Sequence, residues 1–223
     1  MTALPPIASI ARLIGDPTRA RMLSALMDGR SRTAGELARE ASVTPQTGSA
    51  HLAKLIDGGL LAIQKQGRHH YHRLANADVA HALEALLNLS APPHPAHRLG
   101  PADAGLRRAR VCYDHLAGEI AVQLTQHWHD RGWILDDAGA WQLTPAGCEG
   151  LRALGIALPD PALRRPALRA CMDWSERRFH LAGQLGMAVL QAMRDQDLLR
   201  PLPGSRVLMP TAQGEAVLAR WLR

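Results

Sequence analysis

Residues 33–74 run through a short helical pattern, a tight turn, a second helical pattern and two strand-like runs joined by a turn at Gly67. Few folds accept that order. Apolar Leu37, Ala38, Val43, Leu52 and Leu55 fall where the two helices would pack on each other, leaving Thr44, Gln46, Thr47, Ser49, His51 and Lys54 outside. A helix pair of this kind can project its second helix into a major groove. The outward side chains all carry hydrogen-bonding groups suited to phosphates and base edges. Thr44 before Pro45 fits an N-cap with proline in the first turn, where free backbone N–H groups can meet a phosphate.

The strand-like runs between Leu60 and Leu74 carry Lys65, Arg68, His69, His70, Tyr71 and Arg73. A basic hairpin beside such a helix can reach flanking backbone or the minor groove. The expectation is therefore a winged helix-turn-helix that binds double-stranded DNA. Apolar spacing predicts helices over residues 7–14, 17–27, 33–40, 44–58 and 76–89. The net charge of +6 favours a polyanionic partner, and the stretch up to Arg98 holds 11 Lys and Arg against 7 Asp and Glu.

At 223 residues the chain has room for two domains, with a globular balance of 47% apolar and 21% charged residues. Pro92, Pro93, Pro95 and Pro101 interrupt any periodic structure. This predicts a DNA-binding and dimerisation domain over 1–90, a linker over 91–101 and a second domain over 102–223. No apolar run has the length to cross a bilayer, and residues 1–6 do not resemble an export signal. Cys112, Cys148 and Cys171 make a poor disulfide framework, so free thiols in a cytoplasmic protein are expected.

The second domain reads as a duplication. His115-Leu116-Ala117-Gly118-Glu119-Ile120 recurs as His180-Leu181-Ala182-Gly183-Gln184-Leu185, and Thr144-Pro145-Ala146-Gly147 is answered by Thr211-Ala212-Gln213-Gly214. Each copy reads as a long helix, a short hairpin ending in Thr-x-x-Gly and a second helix. The expected fold is mainly α with small β-hairpin wings: an N-terminal winged helix followed by two winged-helix-like repeats.

Leu13-Ile14-Gly15-Asp16-Pro17-Thr18-Arg19-Ala20-Arg21-Met22-Leu23, followed by Glu36-Leu37-Ala38 and Thr47-Gly48-Ser49-Ala50-His51-Leu52, resembles the ArsR family of bacterial winged-helix repressors. The resemblance covers about the first 90 residues. It implies a homodimer built on helices 7–14 and 76–89, a palindromic operator and release on sensing a ligand. It also places Gln46, Thr47, Ser49 and His51 where the family contacts DNA, with Arg68 at the wing. Two features depart from the family's metal sensors. Helix 33–40 has no cysteine, and Asp78, His81 and Glu84 lack the spacing of the dimer-helix site. The segment 171–183 resembles a subgroup of longer ArsR-like regulators.

Cys112 and His115, three apart on an expected helix, would share a face, with His180 equivalent to His115 and Cys171 ahead of it. Were the halves to pack about a pseudo-twofold axis, Cys112, His115, Cys171 and His180 would converge into a thiolate and imidazole site suited to zinc or copper(I). Two other readings stay open: a redox or electrophile-sensing thiol, and a packing seam with glycine at its close approach. Trp128, Trp133, Trp141, Trp174 and Trp221, with Met172, Met187, Met193 and Met209, suit either an apolar effector pocket or a core. His127 and His129 are two apart and point in different directions on a helix. No oxyanion device or third orienting group accompanies Cys112 and His115, so an enzyme is not expected. No cofactor is identified. A winged helix that binds only protein or RNA remains the alternative to a DNA reader.

Overall fold

The computed structural model describes residues 6–67, 69–89, 103–137 and 139–222. It divides into two compact units, Met1–Ala82 and Leu83–Arg223.

The first unit opens with α1 (Pro6–Ile14) and α2 (Pro17–Ala25), the latter extended by a 3-10 turn over Leu26–Asp28. Asp16 caps α2 by accepting from the Arg19 backbone N–H at 3.0 Å. The Arg19 guanidinium turns back to donate to the carbonyls of Leu13 and Arg12, both at 2.7 Å, satisfying orphan acceptors at the end of α1. Two residues of the Asp-Pro-Thr-Arg element thus fix the corner between the first helices.

After β1 (Arg32–Thr33) come α3 (Ala34–Glu40) and α4 (Pro45–Asp57). A capping box between Thr33 and Glu36 starts α3. Thr44 caps α4, with Pro45 at its first turn. The two helices meet at Gly48, where a Cβ would lie only 2.8 Å from the Cβ of Ala38. Met22, Leu23, Leu37, Leu52 and Leu55 form the buried centre. Strands β2 (Leu61–Gln66) and β3 (His69–Leu74) form the hairpin, and β1 adds to β3 in the sheet order β1-β3-β2. The last helix, α5 (Ala77–Leu89), contains the division between the units. Residues 83–89 therefore stand with the second unit rather than with an N-terminal domain ending at 90. Hydrogen bonds of Glu84 with Cys112 and Arg206, and of Asn88 with Met172, account for this. The expected linker over 91–101 lies outside the described residues.

The second unit runs α6 (Ala104–Arg108), β4 (Arg110–Cys112), β5 (His115–Ala117), α7 (Glu119–Asp130), β6 (Ile134–Asp137), β7 (Ala140–Leu143) and α8 (Pro145–Ala153). It continues with β8 (Arg169–Met172), β9 (Phe179–Ala182), α9 (Gly183–Asp195), β10 (Leu199–Pro201), β11 (Leu208–Pro210) and α10 (Ala212–Trp221). The order hairpin, helix, hairpin, helix occurs in each half. Thr144 and Thr211, the first residues of the Thr-x-x-Gly elements, are the N-caps of α8 and α10, accepting from Gly147 and Gly214 at 3.0 and 2.9 Å.

One expectation is corrected here. Cys112 and His115 do not share a helix; they are cross-strand partners in the β4–β5 hairpin. Tyr113 at φ 59° closes the two-residue turn between them, and Gly118 at φ 93° separates β5 from α7. The helix begins only at Glu119. In the other half Cys171 and His180 are likewise cross-strand partners, and Gly183 at φ 81° begins α9. The glycine of each His-Leu-Ala-Gly element is thus a strand-to-helix corner. Leu116, Ile120, Leu124, Trp128, Leu181, Leu185 and Val189 belong to one continuous core.

Candidate functional site

Gln46, Thr47, Ser49 and Lys54 lie exposed on α4, opposite buried Gly48, Leu52 and Leu55. The Thr44 hydroxyl accepts from the Thr47 N–H at 3.3 Å and lies 3.0 Å from the Thr47 hydroxyl. Ser49 donates to the carbonyl of Pro45 at 2.9 Å, leaving its lone pairs outward. His51 takes a different place from the outward one expected. Its side chain is only 18% exposed, with Nδ1 3.5 Å from Asp16 Oδ1 and 3.5 Å from Arg19 Nη1. It therefore ties α4 to the Asp16–Arg19 corner. On the hairpin, Lys65, His69 and His70 are exposed, Lys65 facing His70 across the ladder, and Tyr71 is half-buried. Arg68 lies outside the described residues. His72 points inward instead, and burial pushes its pKa down.

In the second unit Cys112, His115, Cys171 and His180 come together, with one donor atom from each lying within 4.8 Å of all the others. The two Nε2 atoms are 3.1 Å apart, and the rings stand 33° from parallel with centroids 5.1 Å apart. His115, His180 and Cys112 are buried and Cys171 is half-buried. Cys148 is not part of the group.

Each imidazole turns its other nitrogen towards a carboxylate. His115 Nδ1 is 3.2 Å from Asp114 Oδ1, and His180 Nδ1 is 3.5 Å from Asp173 Oδ2, having no closer hydrogen-bond partner among the described residues. Each carboxylate is in turn held by an arginine: Asp114 by Arg165, Nη2 at 2.9 Å, and Asp173 by the fully buried Arg110 at 2.9 Å. Asp173 also accepts from the Gly118 N–H at 2.7 Å and the Ser175 hydroxyl at 2.7 Å. Burial alone would raise the Asp173 carboxyl, yet Arg110, His180 and Ser175 together hold it well below its ordinary value.

Cys112 Sγ lies 3.1 Å from Glu84 Oε2, and Glu84 also accepts from Arg206 at 2.8 Å. Hydrogen bonding to Cys171 and then burial push the Cys112 thiol far up, while that same bond lowers Cys171. Of these carboxylate and arginine partners the sequence singles out only Glu84, and there in connection with a different site. Asp114 beside His115 and Asp173 two residues after Cys171 were the available signals; a buried arginine such as Arg110 leaves none.

Trp128 and Trp221 are buried in the core and half-buried Trp133 and Trp141 pack against it, so the core reading holds for these four, although Trp133, Trp141 and Trp221 also border surface hollows; Trp174 is buried beneath Arg110.

A family model described as a helix-turn-helix domain matches residues 14–64. Over 221 residues, spanning 98% of this chain and 97% of the relative, the sequence is 38% identical to "Uncharacterized HTH-type transcriptional regulator YdfF" of Bacillus subtilis. The chain belongs to the HTH-type transcriptional regulators. The matched residues of the regulator take in α3 and α4, the helix pair described above. The regulator is also 36% identical over 83 residues to the HTH-type transcriptional regulator CmtR of Mycobacterium tuberculosis, covering 37% of this chain and 70% of that one. The NMR structure of that protein, named as a cadmium metal-sensor, has a TM-score of 0.34 at 31% identity, covering 43% of this chain and 99% of that one. Among the described residues of the regulator, no helix is long and apolar enough to cross a membrane.

Proposed function

We propose that the regulator is a cytoplasmic homodimeric repressor that reads a palindromic operator through α4 and is released when an effector occupies its second unit. The observation that carries the DNA-reading part is the face of α4. Gln46, Thr47, Ser49 and Lys54 are exposed on one side, while Gly48 brings the other side hard against α3. A firmly seated helix with outward polar side chains suits base-edge contacts in a major groove. In the first turn Pro45 has no N–H and the Thr47 N–H is taken by the Thr44 hydroxyl, leaving the Gln46 N–H to meet an adjacent phosphate. The hairpin residues Lys65, His69, His70 and Tyr71 flank it as a wing, and Arg68 is assigned to the same wing from the sequence.

The dimer reading is supported by α1, which buries none of its residues and leaves Ile7 78% and Ile10 38% exposed. A second copy of the chain would remove that apolar surface from water. Fluorescence anisotropy with duplex DNA from upstream of the protein's own gene tests the reading. Saturable binding with two chains per site, lost on scrambling the duplex, is expected. Equal affinity for the scrambled duplex would contradict it and leave a protein-binding winged helix.

A further inference from the structure

The grouping of Cys112, His115, Cys171 and His180 names the class of effector. We infer that these four side chains bind one zinc ion in a closed tetrahedral site within the second unit. This deepens the regulatory reading above and stands on separate observations.

The donor set is the first. Two thiols and two imidazoles supply four soft or intermediate ligands, the number and kind that tetrahedral zinc takes. They come from matching positions of two hairpins, Cys112 opposite His115 and Cys171 opposite His180. The second observation is the aim of the rings. Both Nε2 atoms point inward at 3.1 Å from each other, while both Nδ1 atoms face carboxylates. A metal-bound histidine needs its free nitrogen oriented in this way, since an outer carboxylate fixes the tautomer and strengthens the ligand. Neither carboxylate is free to wander: Arg165 holds Asp114 and Arg110 holds Asp173. A disulfide between Cys112 and Cys171 would make no use of the two imidazoles or of their supports.

Charge is the third. Zinc bound by two thiolates and two neutral imidazoles has no net charge, as a buried centre requires. On binding, the two thiol protons pass to solvent and the ion's bound waters are released as two S–Zn and two N–Zn bonds form; no electron is transferred, so no oxidant or reductant is needed. The Cys112 sulfur passes from Glu84, 3.1 Å away, to the metal. Glu84 lies on α5, the helix within which the division between the units falls.

The test uses the full chain, reduced and stripped by a chelator. Titration with cobalt(II) should give one equivalent per chain with the visible bands of a tetrahedral ion and a thiolate-to-cobalt charge-transfer band. Zinc(II) should bleach both. Cys112→Ser, Cys171→Ser and His180→Ala should each remove the charge-transfer intensity or the stoichiometric uptake. Cys148→Ser should change neither. Asp114→Asn, a positioning change at the margin of the site, should weaken zinc about 10- to 100-fold. Stoichiometric uptake that survives the Cys112→Ser, Cys171→Ser double variant, or cobalt spectra without the thiolate band, would overturn the assignment. So would copper(I) binding that needs both cysteines but is indifferent to His115→Ala and His180→Ala, coupled with no uptake of zinc. Operator binding measured on the same stripped protein separates this failure from failure of the DNA-reading assignment.

Discussion

The Nε2 atoms of His115 and His180 face each other at 3.1 Å from opposite halves of the second unit, each ring having its far nitrogen turned to an aspartate. The arrangement depends on Asp173, which is buried and paired with buried Arg110. Asp173→Asn should lower unfolding stability by about 3–5 kcal/mol, because it strands a buried guanidinium. Urea melts followed by tryptophan fluorescence measure this, five tryptophans lying in the second unit. A loss below about 1 kcal/mol would show that Arg110 finds another partner.

Arg19→Ala should destabilise the first unit by about 1–3 kcal/mol, since the carbonyls of Arg12 and Leu13 lose their donor. Hydrogen exchange at the ends of α1 and α2 should accelerate together. Unchanged exchange there would mean that Asp16 alone holds the corner.

Gly48→Leu should abolish DNA binding before it abolishes folding of the second unit. Even a Cβ at this position would meet Ala38 at 2.8 Å, so α4 must move away from α3. Wild-type operator affinity in this variant would contradict the seating described for α4.

Gln46→Ala should cost about 1–3 kcal/mol of operator affinity and relax base preference. Lys65→Ala should weaken binding to all duplexes alike and make the salt dependence shallower by about one unit. A sequence-selective loss in Lys65→Ala would exchange the roles assigned to helix and hairpin.

Local signals carried the first unit almost completely in the sequence. Thr44 before Pro45 announces a helix start, and Gly67 marks the turn between two strand-like runs, so helices and strands fall within a few residues of expectation. His51 was harder to place: its partners Asp16 and Arg19 are more than 30 residues away. In the second unit the repeat brings out Cys112, His115, Cys171 and His180 together, although the spacing of Cys112 and His115 predicts a helix where the chain forms a hairpin. Three-residue strands offer too few positions for a period of two to declare itself. The supporting shell stayed hidden because Arg165 and Glu84 come from distant points in the chain, while Arg110, two residues before Cys112, pairs with the distant Asp173.

The most direct measurement is operator affinity of the full-length protein with and without one equivalent of zinc(II), for the wild type and for His180→Ala. Zinc should weaken operator binding by wild-type protein roughly 5- to 150-fold and leave His180→Ala unchanged. Wild-type protein shown to hold zinc in its Cys112, His115, Cys171 and His180 group, yet binding operator equally well with and without it, would contradict the account.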